Sequence, residues 1–321
     1  MIDIVIVGGG PIGIACGLEA QKAGLSYLII EKGVIVNSLF HYPENMQFFS
    51  SSERLEIDQI PFISTQVRPF KNEALEYYRR IVTSHQLHIN LHEEVKGVTK
   101  LEDSVFKIKT NKASYQACNV IIATGFYDIP NWMGVEGEEL PHVRHYYDHP
   151  HRYALQKVSV IGASNSAIDA ALEIYRKGGD VTLLVRGSEI SDRVKYWVKP
   201  DVLNRIAEGS IQVEYNAEIN KITETDVEIL QNGESKLISS DFVLALTGYQ
   251  PNFEMLQQFG ISLSEDDLKI PTYNEETMES NIENLYLAGV VCGGMNTHLW
   301  FIENSIIHAD MIIKDILKKK S

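Results

Sequence analysis

The stretch IDIVIVGGGPIG at residues 2–13 constrains this chain more than any other. Ile2–Val7 is an Ile/Val-rich apolar run of the kind that forms a buried parallel strand. Gly8, Gly10 and Gly13 follow with GxGxxG spacing, and a helical pattern continues from Gly17 to Ala23. Gly8 permits a tight turn, Gly10 lets backbone approach a pyrophosphate, and Gly13 lets the helix pack closely on the strand. Unpaired N–H groups at the helix start, near Pro11 and Ile12, then face the anion. A second strand, Tyr27–Ile30, runs into Glu31 and Lys32, and Glu31 stands where a carboxylate accepts both ribose hydroxyls. GxGxxG alone is a weak signal, but strand, loop, helix, strand and acid in register specify a dinucleotide-binding unit.

Much the same unit recurs at residues 157–187, KVSVIGASNSAIDAALEIYRKGGDVTLLVRG. Gly162, Ser164 and Ala167 take the three glycine positions, with Asn165 and Ser166 between them, and the second strand ends at Arg186. A carboxylate there repels a 2′-phosphate whereas an arginine pairs with it, so this copy reads as an NADPH site. Arg193 and Lys195 are close enough in sequence to add to its charge. Two further strands, VIIATGF (120–126, with Ala123, Thr124 and Gly125) and FVLALTGYQPN (242–252, with Gly248), flank the second copy and read as hinges. A last strand, in NIENLYLAGVV, opens on Gly289 and Val290. A helix expected from about Asn296 and Thr297 onward would point its N-terminus at the first nucleotide. The predicted fold is α/β with two Rossmann-like three-layer domains. The second (128–248) is inserted in the first (1–127 and 249–321).

Charge and cysteine content exclude several functions. A balance of 29 basic against 43 acidic side chains, net −14, repels a nucleic-acid backbone. No apolar run approaches the roughly 20 residues that span a bilayer, and no basic region precedes the first one, so a cytoplasmic protein without a membrane segment is expected. The three cysteines, Cys16, Cys118 and Cys292, show no CxxC spacing, which argues against a disulfide framework or a zinc site. Each reads first as a small buried hydrophobe. His142, His145, His149 and His151 read as a solvated turn rather than a metal site, and no metal is expected.

The ordered set GGGPIG with Glu31, IIATG, GASNSA with Arg186, LALTGYQP and NLYLAGV resembles the two-dinucleotide-binding-domain flavoproteins over nearly the whole chain. That resemblance implies FAD on the first unit, NADPH on the second, hydride passing from NADPH to the flavin and on to an acceptor, and a homo-oligomer. The thioredoxin reductase branch carries CxxC just before the second glycine loop; here LPHVRHYYDHPHRYALQ has no cysteine. The segments EKGVIVNSLFHYP, FFSSSERLEI, NSAIDAALE, ETMESNIENLYLAGV and FIEN resemble the bacillithiol disulfide reductase group.

The narrower resemblance implies that Phe48, Phe49, Ser50, Ser51 and Ser52 line the FAD site; the alternative for that run is a serine-rich turn capping a helix. In that group a cysteine follows the loop proline, whereas this chain has Ile12, so the thiol role has no bearer there. Cys16 lies one helical turn deeper, and Cys292, three residues after Gly289, is the one candidate redox thiol. Val290 stands where the wider superfamily has an aspartate, a departure the narrower group shares. Phe40, Tyr42, His298, Trp300, Phe301 and Glu303 fall in segments expected to approach the flavin. The favoured function is NADPH-dependent, FAD-mediated reduction of a low-molecular-weight disulfide. The alternatives are electron transfer to a small carrier protein, as in ferredoxin- or flavodoxin-NADP reductases, then a flavin monooxygenase or a redox sensor.

Overall fold

β1 (Ile2–Val7) sits in the middle of a sheet because Ile4, Val5 and Ile6 are buried on both faces, which only a strand covered on two sides allows. The computed structural model describes residues 1–101 and 105–320. They form two units, one of Met1–His41, Gln47–Ile129 and Tyr249–Ser321, the other of Tyr42–Met46 and Pro130–Gly248.

In the first unit, β1 pairs in parallel with β2 (Tyr27–Ile30) on one side, and β2 with β3 (Ile89–Asn90). On its other side lies β6 (Ser114–Ile122), whose far edge is shared. Its first half pairs antiparallel with β5 (Phe106–Thr110) and its last residues pair in parallel with the strand Leu285–Leu287. β4 (Val95–Lys100) closes that edge antiparallel to β5. Helix α1 (Pro11–Lys22) begins on a proline, whose missing N–H costs nothing in a first turn, and packs against the C-terminal helix Ile307–Lys320.

The second unit repeats the parallel scheme with strands Gln212–Tyr215, Asp180–Val185, Lys157–Ile161, Phe242–Ala245 and Val143–Arg144 in that order. Helix Asn165–Arg176 turns Ile168, Ala171 and Leu172 into a core with Val160, Leu183 and Tyr153. An antiparallel three-stranded sheet, Glu218–Ile222, Asp226–Gln231 and Glu234–Ser239, adds a second, smaller core around Val227 and Ile229. The doubly wound α/β fold holds, with one correction in detail. The two segments read as hinge strands are indeed strands, β6 beside β1 and Phe242–Ala245 beside Lys157–Ile161, and the two units divide shortly after each, at 129/130 and 248/249. Their complete burial, Val120 and Leu244 at 0 %, is what made them apolar. The helix expected from Asn296 starts instead at Ile302. A turn occupies 295–301, where Asn296 donates to Gly293 and Leu299 to Asn296.

Candidate functional site

The first glycine loop is closed by backbone contacts. A Cβ on Gly13 would lie 1.9 Å from the Gly8 carbonyl oxygen, and one on Gly8, whose φ is +109°, would lie 2.4 Å from the Ala123 oxygen. The loop therefore needs glycine at both points, and Ala123 is tied to β1 through its N–H to the Val7 carbonyl. Glu31 is buried at the end of β2. Its carboxylate accepts the Gly9 N–H at 2.7 Å and the Gly33 N–H at 2.8 Å. Burial pushes its pKa up and the two amides oppose the shift.

Around it opens a cavity that Gly8, Glu31, Lys32, Ser38, Thr124 and Gly125 help to line. Lys32 pairs with Asp128 at 2.7 Å on the cavity wall. Glu93, Asp128, Asn252 and Met255 also reach this cavity; they stand alone in sequence and no local pattern announces them. Glu93 is fixed by the hydroxyls of Thr110 and Tyr115, at 2.6 and 2.9 Å.

The Phe48–Ser52 run splits. Phe48 and Ser52 are buried, Phe49 is 60 % exposed, and Ser50 and Ser51 are half-buried. Ser52 precedes the short helix Glu53–Leu55 without capping it through its side chain. Phe40 and Phe301 are exposed, and Tyr42 falls in the second unit.

The segment after the strand Leu285–Leu287 turns back toward the glycine loop. Gly289, at φ +84°, opens the turn Gly289–Gly293, and a Cβ there would meet Ile12 Cγ1 at 3.2 Å. Ile12 and Gly289 are therefore packed together. Cys292 is fully buried in that turn and Cys16 fully buried in α1. Burial pushes the Cys16 thiol up to about 12 and the Cys292 thiol higher still, with Cys16 as a further contribution to the latter. Cys292, the candidate redox thiol, is thus packed in the interior, where burial disfavours its thiolate.

In the second unit, Gly162 and the exposed Ser164 form the loop, while the half-buried Ser166 and the buried Ala167 lie in the first turn of helix Asn165–Arg176. Arg186 lies exposed at the end of its strand, and Arg193 is exposed in the following loop. Two expected contacts differ. Lys195 is buried and donates to Asp169 at 2.7 Å, so its charge is spent on helix Asn165–Arg176. Asn165 uses both ends of its amide on the same loop, accepting from the Lys195 N–H and donating to the Arg193 carbonyl, each at 2.9 Å. Together they fasten the 191–198 loop to the helix start. Gly248 accepts the Asn131 N–H at 2.9 Å.

The histidine run is not a solvated turn throughout. His145 is buried, with Trp132 at 4.4 Å between ring centroids and Glu138 at 3.6 Å, and burial lowers its pKa while Glu138 opposes that. Among the described residues no three His, Cys, Asp or Glu side chains are grouped to hold a metal ion. Among them also, no helix is long and apolar enough to cross a membrane.

A dinucleotide fits the first unit on two counts. The glycine loop is closed on the backbone at Gly8 and Gly13 but open at Gly10, where a Cβ would meet nothing within 4 Å. Beyond it, Thr124 Oγ1, Asn296 Oδ1, Glu303 Oε2 and His308 Nε2 are buried atoms with no hydrogen-bond partner. Thr124 directly follows β6, and His308 is held by the Gly289 N–H just after the parallel neighbour Leu285–Leu287, so these two lie at the C-terminal ends of adjacent parallel strands, where doubly wound sheets bind ligands.

Residues 5–289 match the family described as pyridine nucleotide-disulphide oxidoreductase. The chain is 42 % identical over 319 residues to the bacilliredoxin reductase Bdr of Bacillus subtilis, covering 99 % of this chain and 98 % of that protein. The solved structure of the bacillithiol disulfide reductase Bdr (YpdA) from Staphylococcus aureus superposes with a TM-score of 0.97 at 43 % identity, covering 100 % and 99 % of the two chains. That of the Bacillus cereus protein of the same name superposes with a TM-score of 0.96 at 40 % identity, covering 99 % of each. The chain therefore belongs to the pyridine nucleotide-disulphide oxidoreductase family and is an NADPH-dependent flavoprotein oxidoreductase that uses FAD.

Proposed function

We propose that this protein reduces a low-molecular-weight disulfide of the bacillithiol type at the expense of NADPH, with FAD on the first unit and NADPH on the second. The observation that carries the reading is end-to-end similarity to proteins named for that chemistry, together with two separate dinucleotide loops of opposite character. The reaction balances as NADPH, one proton and one disulfide giving NADP⁺ and two thiols. FAD, when bound, supplies the two-electron relay between the two substrates.

The chain's own residues bind and orient. Gly8, Gly10, Pro11, Ile12 and Gly13 form the cradle for a pyrophosphate, and Glu31 takes ribose hydroxyls on the lone pairs that Gly9 and Gly33 leave open. Phe48, Ser52, Thr124, Gly289, Val290, Asn296 and Thr297 wall the rest of the FAD site, with Phe49, Ser50, Ser51, Ala123, Gly125 and Lys32 at its margins. Gly162, Ser164, Ser166 and Ala167 receive the NADPH pyrophosphate, and Arg186 selects its 2′-phosphate. With Ile12 at the loop and both Cys16 and Cys292 sealed, the disulfide step runs without a thiol relay from this part of the chain.

NADPH consumption measured with oxidised bacillithiol, an oxidised bacilliredoxin and a ferredoxin tests the reading. Turnover with the small disulfide is expected. Turnover with ferredoxin and none with either disulfide substrate would replace this reading by the electron-transfer one, which the Ile12 position favours. We also place the protein in the cytoplasm as a homo-oligomer; a monomer by light scattering at working concentration contradicts the latter.

A further inference from the structure

His308 lies in the first turn of the C-terminal helix and is 1 % exposed. Its Nδ1 accepts the Gly289 N–H at 3.1 Å, within the interior. Burial pushes its pKa down to about 4, so the ring is neutral at ordinary pH. A neutral imidazole that accepts at Nδ1 carries its proton at Nε2. That Nε2–H has no acceptor from the described residues, although the ring is packed against Trp300 at 4.5 Å between centroids. A buried donor without an acceptor is costly to keep, and native interiors seldom do so without a ligand or water that completes it.

The surroundings say which ligand. Gly289, which fixes the ring, is itself packed on Ile12 of the glycine loop. The other buried partnerless atoms of this segment, Asn296 Oδ1, Trp300 Nε1 and Glu303 Oε2, belong to the same run of chain after Leu285–Leu287. His308 itself is held at Gly289, just past the end of the strand Leu285–Leu287, where a doubly wound sheet receives its nucleotide.

We propose that His308 is a cofactor-binding residue: its Nε2–H is a donor kept for an oxygen or nitrogen acceptor of bound FAD, oriented by the grip of the Gly289 amide on Nδ1. The proposal rests on FAD occupying the first unit. Glutamine at 308 preserves both functions, since its amide oxygen accepts from Gly289 and its NH₂ donates. Leucine preserves neither.

The test uses the full-length protein labelled with ¹⁵N-histidine, as apoprotein and after FAD addition, with His308→Gln to assign the signal. The Nε2–H of His308 should be seen as the neutral tautomer and should move downfield when FAD binds. His308→Leu should bind FAD about 10-fold more weakly, and His308→Gln within about threefold of the natural protein. A Nε2–H signal that stays unmoved while the protein turns yellow overturns the proposal and leaves FAD on the first unit intact. Leucine binding FAD as tightly as histidine also overturns it. A colourless protein after incubation with excess FAD removes both readings. If the leucine variant does not fold, the natural protein's spectrum and the glutamine variant still decide.

Discussion

The two dinucleotide units use the same strand-loop-helix scheme with different clearances. In the first, a methyl group on Gly13 would sit 1.9 Å from the Gly8 carbonyl oxygen, so helix and loop touch backbone to backbone. In the second, Ala167 fills the position matching Gly13, although a Cβ on Gly162 would still lie 2.6 Å from the Leu246 carbonyl oxygen, much as one on Gly8 would lie 2.4 Å from that of Ala123. The residues that end each second strand differ in the same sense. Glu31 is buried and already holds two amides, whereas Arg186 is exposed. The first loop thus ends on a buried, already bonded carboxylate and the second on an accessible positive charge.

Breaking the tight loop should have the largest effect. Gly13→Ala forces helix α1 away from Gly8, with an expected loss of about 1–3 kcal/mol in stability. FAD affinity should fall by roughly 100-fold, since phosphate binding depends on the same close approach. Thermal unfolding and FAD titration of the apoprotein measure both, and unchanged FAD affinity would mean that the cradle lies elsewhere.

Arg186→Ala addresses the open unit. The NADPH KM should rise about 10- to 100-fold, the worth of a charge-assisted contact, with KM for NADH little changed. Equal losses for both nucleotides would argue that Arg186 does not read the 2′-phosphate.

A pH comparison sets one buried histidine of each unit against the other. The unfolded chain takes a proton on His308 below its ordinary pKa of 6.5, which the folded protein declines until about pH 4. Stability from this group is therefore fully present above about pH 6.5 and lost progressively as pH falls to about 4, on the order of 3 kcal/mol in total. His308→Gln should flatten that fall. His145→Gln in the second unit should flatten it less, because Glu138 at 3.6 Å offsets part of the burial cost. Chemical unfolding from pH 7.5 to 4.5 compares them, and an equal response from both would remove the distinction.

Smaller changes sharpen the contrast. Glu31→Gln keeps an acceptor for one of the two amides and should weaken FAD by about 10-fold. Ala167→Gly should leave NADPH binding within about twofold and cost only about 0.5–1 kcal/mol of stability, as for any glycine in a helix. A large effect there would show that the second loop is as tightly built as the first.

Much of this molecule was legible before folding. The alternation of β-branched runs, glycine turns and helical periods located both βαβ units, and the residues closing the second strands, Glu31 and Arg186, were placed by counting along them. The residues that counting misplaced have long-range partners. Lys195 reads as one more cation near a phosphate, yet it pairs with Asp169, 26 positions away. Asn296 reads as a helix start, but the turn at 295–301 delays the helix to Ile302. The histidine-rich stretch reads as polar surface until Trp132 and Glu138 cover His145.

What the chain determined by itself is what neighbouring residues enforce on one another through φ/ψ preference and hydrophobic period: two nucleotide loops and the parallel sheets that carry them. Only the packed structure decided which side chains face those loops. Glu93, Asp128 and Asn252 reach the first cavity, and His308 meets the Gly289 amide. These pairings join separate turns of the chain, and their energies come from burial and hydrogen bonds that exist only once the sheets have closed.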